Sequence, residues 1–96
     1  MVSKAVWKYP LEAVDEMQIS MPANAVVLHV GTQMKRQPCM WVLVSPTSER
    51  VTRIFRIYGT GHTIPENPGS YMGSFLLEEG VLVFHVFEAA AEPPGS

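Results

Sequence analysis

The residues best suited to chemistry lie at a glycine-containing turn. In FRIYGTGHTIP, a stretch with strand character ends at Tyr58 and runs into a Gly-Thr-Gly-His turn. Successive backbone N–H groups in such a turn can form a concave anion site, and the hydroxyl of Thr60 and the imidazole of His62 can add hydrogen bonds. Arg56 shares a strand face with Tyr58, because strand side chains alternate. We therefore predict a site for a nucleotide or phosphate at Arg56, Tyr58, Gly59, Thr60, Gly61 and His62.

A structural interpretation of the same turn stands beside this prediction. Gly59 and Gly61 can serve only to supply the backbone angles of a tight turn. A Gly-x-Gly turn that follows a strand and has no helix behind it matches neither a dinucleotide fingerprint nor a phosphate-binding loop of the Walker type. Under this interpretation, Arg56 is an ordinary surface cation.

Metal and catalytic sites are weakly signalled. His29 and His85 lie within apolar strands, where partly buried, hydrogen-bonded imidazoles are expected, and no histidine spacing matches a zinc site. The single cysteine, Cys39, follows a proline and begins an apolar strand, which is typical of a buried structural thiol. Ser74 and Thr60 are the hydroxyls that could approach a histidine. We predict no metal, no cofactor and no enzymatic activity.

The elements that must position these residues are short strands. Alternating or continuous apolar patterns, bounded by proline and glycine, predict strands at Lys4–Leu11, Gln18–Met21, Ala25–Thr32, Cys39–Ser45, Arg50–Tyr58, Ser70–Leu77 and Val81–Glu88. The segment between the first two predicts a turn or a single helical turn. The fold class is therefore mostly β: a compact antiparallel β-sandwich or small barrel of six to seven short strands, with at most one short helical turn. We expect a single β domain over residues 1–90 and a disordered tail over 91–96.

The composition limits the partners that the chain can bind. It is 47% hydrophobic and 17% charged, and several strands are apolar on both faces, which predicts a homo-oligomer. A net charge of −2 makes nucleic acid an improbable main partner. The apolar runs are much shorter than the roughly 20 residues of a membrane helix, and the N-terminus lacks a signal-peptide pattern. We expect a cytoplasmic protein without a membrane partner.

Five blocks of the sequence together resemble a known family. KAVWKYPL, MPANAVVLHV, FRIYGTGHTIP, YMGSF and LVFHVFE occur in this order between Lys4 and Glu88. They resemble an uncharacterised family of small phage- and prophage-encoded proteins, from which no activity and no catalytic residue can be transferred. The resemblance implies a small phage accessory protein that acts in the cytoplasm of a bacterial host.

Three functions follow as hypotheses. The first is a binding protein that covers a host protein and thereby counters a host defence. The second is sequestration of a small anionic ligand, such as a nucleotide signal, at the Gly59–His62 loop. The third is a small hydrolase that uses His62 or His85. The sequence leaves open the strand order, the oligomer number, and whether the three histidines converge.

Overall fold

Seven strands and one 3₁₀ turn form the chain in the computed structural model, which describes residues 3–34 and 36–90. The strands are β1 (Ala5–Pro10), β2 (Glu16–Pro22), β3 (Val26–Gln33), β4 (Gln37–Val44), β5 (Arg50–Gly59), β6 (Ser70–Leu77) and β7 (Leu82–Glu88), and the 3₁₀ turn spans Glu78–Gly80. The predicted fold class, mostly β with at most one short helical turn, is confirmed. The tail predicted to be disordered, 91–96, lies outside the described residues.

The strands form two antiparallel sheets. The three-stranded sheet has the order β1-β4-β3, and the four-stranded sheet has the order β2-β5-β7-β6. Within these sheets, β3 with β4 and β6 with β7 pair as sequence neighbours, whereas β1 pairs with β4 and β2 with β5. Pro10 and Pro22 end β1 and β2, both of which are edge strands, as expected for residues that cannot donate to a ladder.

The core lies between the inward faces of the two sheets. Strand side chains alternate between faces, so each strand contributes every second residue to the core. The largest fully buried side chains come from both sheets and from the loop after β1: Phe55, Phe75, Leu11, Met21, Met40, Val42, Val44 and Val86. Cys39, as predicted, is buried, and its thiol donates to the carbonyl oxygen of Gln37 at 3.3 Å.

The segment between β1 and β2 is not helical. Bends occupy residues 13–15, and β2 begins at Glu16, two residues earlier than the pattern predicts. The backbone N–H of Leu11 donates to the carbonyl of Pro38 at 2.8 Å, while the Leu11 side chain is buried. Of the two alternatives predicted for this segment, the structure therefore shows the turn and not the helical turn. No helix long and apolar enough to cross a membrane occurs in the described ranges.

The edges of the two sheets meet where β3 passes β6. The hydroxyl of Thr32 donates to the carbonyl of Leu76 at 2.7 Å and accepts from the Leu76 N–H at 3.2 Å. Nearby, Gly73 has φ of +148°, and a Cβ at this position would lie 2.7 Å from Cβ of Val30. Glycine is required at this position, because no other residue allows the two edges to approach so closely.

Candidate functional site

The residues predicted to form one site lie on opposite faces of β5. Phe55, Ile57 and Gly59 are buried and face the core, so Arg56 and Tyr58 lie on the outward face of the four-stranded sheet. The guanidinium Nε of Arg56 lies 3.2 Å from a carboxylate oxygen of Glu16, its register partner on β2. Arg56 is thus already engaged by a carboxylate of its own sheet.

His62 lies on the other side of β5. Its backbone N–H donates to the carbonyl of Gly59 at 3.0 Å, which closes the turn, and Gly61 has φ of +89°. A Cβ on Gly59 would lie 3.0 Å from Cε1 of the His62 ring. Because Gly59 faces inward, the imidazole covers the inward side of the strand end. The predicted grouping of Arg56, Tyr58, Thr60 and His62 on one concave surface is therefore not formed.

A small pocket does include part of the predicted site. Its volume is about 170 Å³, and its lining residues are Gly59, Thr60, His62 and the segment 81–84. Arg56 and Tyr58 are not among them. A pocket of this size is smaller than the roughly 300 Å³ at which sites for drug-sized ligands begin.

Thr60 instead joins a row of polar side chains on the outward face of the four-stranded sheet. Its hydroxyl lies 2.8 Å from Nε2 of His85, and Nδ1 of His85 lies 2.8 Å from the hydroxyl of Ser74. The Ser74 hydroxyl in turn lies 2.5 Å from that of Tyr71. We call these four residues, Thr60, His85, Ser74 and Tyr71, the His85 row.

The register of the β6–β7 hairpin explains why Ser74 and His85 meet. They are direct partners across the two strands. The N–H and carbonyl of Leu76 both point to the sheet edge, towards Thr32, and Ser74 lies two residues earlier with unbroken register. Its backbone groups therefore point to the same edge. Ser74 and His85 form a pair without ladder hydrogen bonds, the arrangement in which opposite side chains lie closest.

The hydrogen bonds of the His85 row run in one direction. The Thr60 hydroxyl donates to the carbonyl of Val83 at 3.3 Å, so its oxygen accepts from His85 Nε2–H. Nδ1 is then unprotonated and accepts from the Ser74 hydroxyl, which accepts from Tyr71. When the contact with the Val83 carbonyl is included, this tautomer makes every contact a hydrogen bond, whereas the other, in which Thr60 donates to Nε2 and Nδ1–H donates to Ser74, leaves the Val83 carbonyl without its donor. Imidazole protons are assigned by this criterion.

Aromatic rings border the row on the same face. The Phe87 ring lies 5.8 Å from the ring of Tyr58 and 5.4 Å from that of Tyr71, at angles of 69° and 60°. These tilted and edge-to-face arrangements fix the rings against each other. They hold the exposed phenol of Tyr71 beside Ser74.

The outward face of the three-stranded sheet has a different character. Val6 is 54% exposed, Val26 is 52% exposed, and Leu28, in the bulge of β3, is 52% exposed. Trp41 and Leu43 lie between them on β4 and are partly buried. We call these five residues, Val6, Val26, Leu28, Trp41 and Leu43, the apolar face. Lys8 is the charged side chain that the described strands place there, and its ammonium donates to Gln33 at 2.7 Å.

The three histidines do not converge. His29 is exposed and lies 5.7 Å from Trp41 in the three-stranded sheet, which contradicts its expected partial burial. His62 lies at the inward side of the end of β5, and His85 lies on the outward face of the four-stranded sheet. Within residues 3–34 and 36–90, no group of three or more histidine, cysteine, aspartate or glutamate residues could hold a metal ion.

Residues 2–95 match the family described as "Domain of unknown function (DUF7352)". The chain belongs to this family. The match includes the whole range, Lys4–Glu88, over which the sequence blocks resemble an uncharacterised family. No curated protein and no solved structure matches the chain significantly.

Sequence reasoning found two members of the His85 row as hydroxyls that could approach a histidine, but it missed Tyr71. The available signal was the hairpin itself. Counting outward from Glu78–Gly80 alone would pair Ser74 with Phe84, and the observed pairing of Ser74 with His85 follows only when Val81 is also counted in the turn, so that Leu77 pairs with Leu82. The position of Tyr71 could not be found by the same counting. A bulge between Tyr71 and Gly73 shifts its register, and this bulge is not visible in the sequence.

Proposed function

We propose that the chain is a small phage accessory protein that binds a host protein through its apolar face. The observation that supports this most is the half exposure of Val6, Val26 and Leu28 on a face where Lys8 is the one charged side chain that the described strands place. Contiguous apolar patches of this kind are uncommon on monomeric proteins and mark interaction sites. The centres of protein interfaces are depleted in charge and enriched in aromatic residues, of which Trp41 is the example here.

The biological setting of this proposal comes from the sequence blocks described above. Their resemblance to small phage- and prophage-encoded proteins supports a phage origin and action in the host cytoplasm. Small accessory proteins of this kind often act by covering a host protein, and inhibition of a host defence protein is the form that we propose.

The experiment compares substitutions at two residues of similar exposure, one on each sheet. Leu28→Glu places a charge on the apolar face, whereas Leu76→Glu places one on the outward face of the four-stranded sheet, where Leu76 is 49% exposed. A partner captured from host lysate is purified and titrated against each variant. We expect Leu28→Glu to weaken binding roughly tenfold or more, as for a central contact residue, and Leu76→Glu to leave it unchanged. Equal effects of the two substitutions would contradict the assignment of the face.

A second copy of the chain is the competing occupant of the apolar face. The chain remains, as predicted from its two-faced apolar strands, a proposed homo-oligomer, most simply a dimer. Light scattering at micromolar concentration on the wild type and on Leu28→Glu identifies the surface that the dimer uses. If Leu28→Glu converts the dimer to monomers, the apolar face is the dimer interface, and a host protein does not bind there. A dimer that persists leaves the face to the host protein.

Sequestration of a nucleotide signal at the Gly59–His62 loop has less support. Arg56 is paired with Glu16 on the outward face, and the His62 ring lies on the inward one. Thermal melting against a panel of nucleotides and cyclic dinucleotides separates the two proposals. Saturating ligand raises the melting temperature by several degrees if the loop binds it, and a protein that binds only proteins shows no shift.

A further inference from the structure

We propose that Ser74 is a nucleophile, with His85 as its general base, and that it accepts a short acyl group from an activated ester. This inference is independent of protein binding at the apolar face, which lies on the other sheet. It rests on three features. Ser74 is hydrogen-bonded to a base, His85; the direction of the hydrogen bonds in the His85 row leaves Nδ1 of that base unprotonated; and an apolar surface lies beside Ser74.

The first feature is the dyad of a hydroxyl and a base. A serine becomes nucleophilic when a neighbouring base can take its proton and a third group orients that base. The Ser74 hydroxyl donates to unprotonated Nδ1 of His85 at 2.8 Å, within the range expected for a nucleophile and its base. Thr60 fixes the other nitrogen as a donor at 2.8 Å. The Ser74 oxygen accepts one bond from Tyr71 and keeps a second lone pair for attack.

The reaction balances with these groups alone. A lone pair of Ser74 Oγ attacks the carbonyl carbon of the ester while the hydroxyl proton moves to Nδ1 of His85. The bond between the carbonyl carbon and the leaving oxygen then breaks, and the leaving alcohol takes the proton from the imidazolium. The products are an acyl ester of Ser74 and the free alcohol. While the imidazolium exists, its Nε2–H remains bonded to Thr60, whose hydroxyl donates onward to Val83.

The surface around Ser74 indicates a short apolar acyl group. Leu76 and Val83 are register partners that lie two residues along β6 and β7 from Ser74 and His85, on the same outward face. Leu76 is about half exposed. An aliphatic chain attached to the carbonyl can lie on these two side chains.

Thr60 acts in this proposal as a positioning residue. It holds the tautomer in which Nδ1 is the base, and it would not touch the ester. Thr60→Val removes the hydroxyl with little change in shape and should slow acylation several-fold. Thr60→Ser should restore the rate, which a purely structural role of the methyl group would not produce.

The test uses the full chain and p-nitrophenyl butyrate. Release of p-nitrophenol is followed by absorbance, and peptide mass spectrometry locates the butyryl group. We expect one equivalent of label on Ser74, its absence in Ser74→Ala, and a rate at least about 10²-fold lower in His85→Gln, which is the contribution of a general base. Ser70→Ala is the matched control, because Ser70 is an exposed serine on the same strand outside the row.

Two results would overturn the proposal. One is labelling of Ser74 no faster than that of Ser70. The other is an unchanged rate in His85→Gln after melting has confirmed that the variant folds. If that variant does not fold, the wild type still decides: labelling of Ser74 must slow on acidification, because a protonated imidazole cannot accept the proton, and a pH-independent rate rejects the dyad.

Discussion

Two arginine–glutamate pairs lie on opposite faces of β5. Arg53 donates from Nε and Nη2 to both carboxylate oxygens of Glu88, each at 2.6 Å, and from Nη1 to the carbonyl of Ala25, also at 2.6 Å. Arg56 makes one contact, at 3.2 Å, with Glu16. The side chains of the first pair are 18% and 21% exposed, whereas those of the second are 42% and 44% exposed.

The difference shows what a largely buried charge requires. Arg53 is held by a bidentate carboxylate, a carbonyl and the face of the Phe55 ring, 5.8 Å from its guanidinium carbon. The hydrogen bond to Glu88 raises the pKa of Arg53, although burial opposes the shift. Its contribution to stability is therefore present at neutral pH and is lost only as the pH rises through the folded-state pKa. Arg56 needs none of these contacts, because water solvates it.

The largest expected effect is that of removing a side chain on the inward face of β5. Phe55→Ala should lower the free energy of unfolding by about 3–5 kcal/mol, because it leaves a cavity in the core and removes the ring beside Arg53. Ile54→Ala, one residue away on the outward face, should cost about 1 kcal/mol. Urea denaturation measures both. Equal costs would mean that the two faces of β5 are wrongly assigned.

Arg53→Ala should be the next largest. Removing one partner of a largely buried ion pair leaves the Glu88 carboxylate without its bidentate donor, which costs about 3 kcal/mol, the lower end of the range for such pairs. A double-mutant cycle with Glu88→Ala isolates the interaction, and we expect a coupling of at least roughly 1.5 kcal/mol. Additive single effects would show that the pair is not coupled.

A smaller effect is expected when the glutamates are changed to their amides. Glu88→Gln keeps the shape but removes the charge from the hydrogen bonds with Arg53, and should cost about 1.5 kcal/mol. Glu16→Gln is the matched substitution on the outward face and should stay within about 0.5 kcal/mol of the wild type. Chemical denaturation of the two variants side by side measures the difference between the faces directly.

Arg56→Ala should have the smallest effect. Exposed ion pairs contribute between about 0 and 1 kcal/mol, and salt screens them. Unfolding measured at low and at high salt should show a small loss at low salt that disappears at high salt. A loss well above 1 kcal/mol, or one that salt does not change, would give Arg56 a role that its geometry does not explain.

Much of the fold follows from local pattern. Alternation located the seven strands within a few residues of their bounds, and Pro10 and Pro22 mark the ends of two of them. Pairing between strands distant in sequence was not predictable, because nothing local in β1 specifies β4 as its partner. Arg53 and Arg56, three residues apart, lie on opposite faces of β5, as the alternation of strand side chains requires.

The candidate site was less predictable, for a definite reason. Alternation places Arg56 and Tyr58 on one face, but it stops at the end of β5, and the turn carries the His62 ring back over Gly59. The sequence also does not distinguish the two arginines. Which of them is structural depends on Glu88, a residue on β7 that adjoins β5 only in the folded sheet.

The strand order has a consequence for how the chain is completed during synthesis. Each of the first two strands pairs with the strand three places later, so β1 and β2 leave the ribosome without partners. The three-stranded sheet has all its strands once β4 is made, whereas β5 and β6 both pair with β7, the last of the strands that the structure describes. Domains that depend on such distant pairings fold slowly. A chain that stops before β7 therefore keeps the strands of the apolar face but loses the strand that joins β5 to β6 and carries His85.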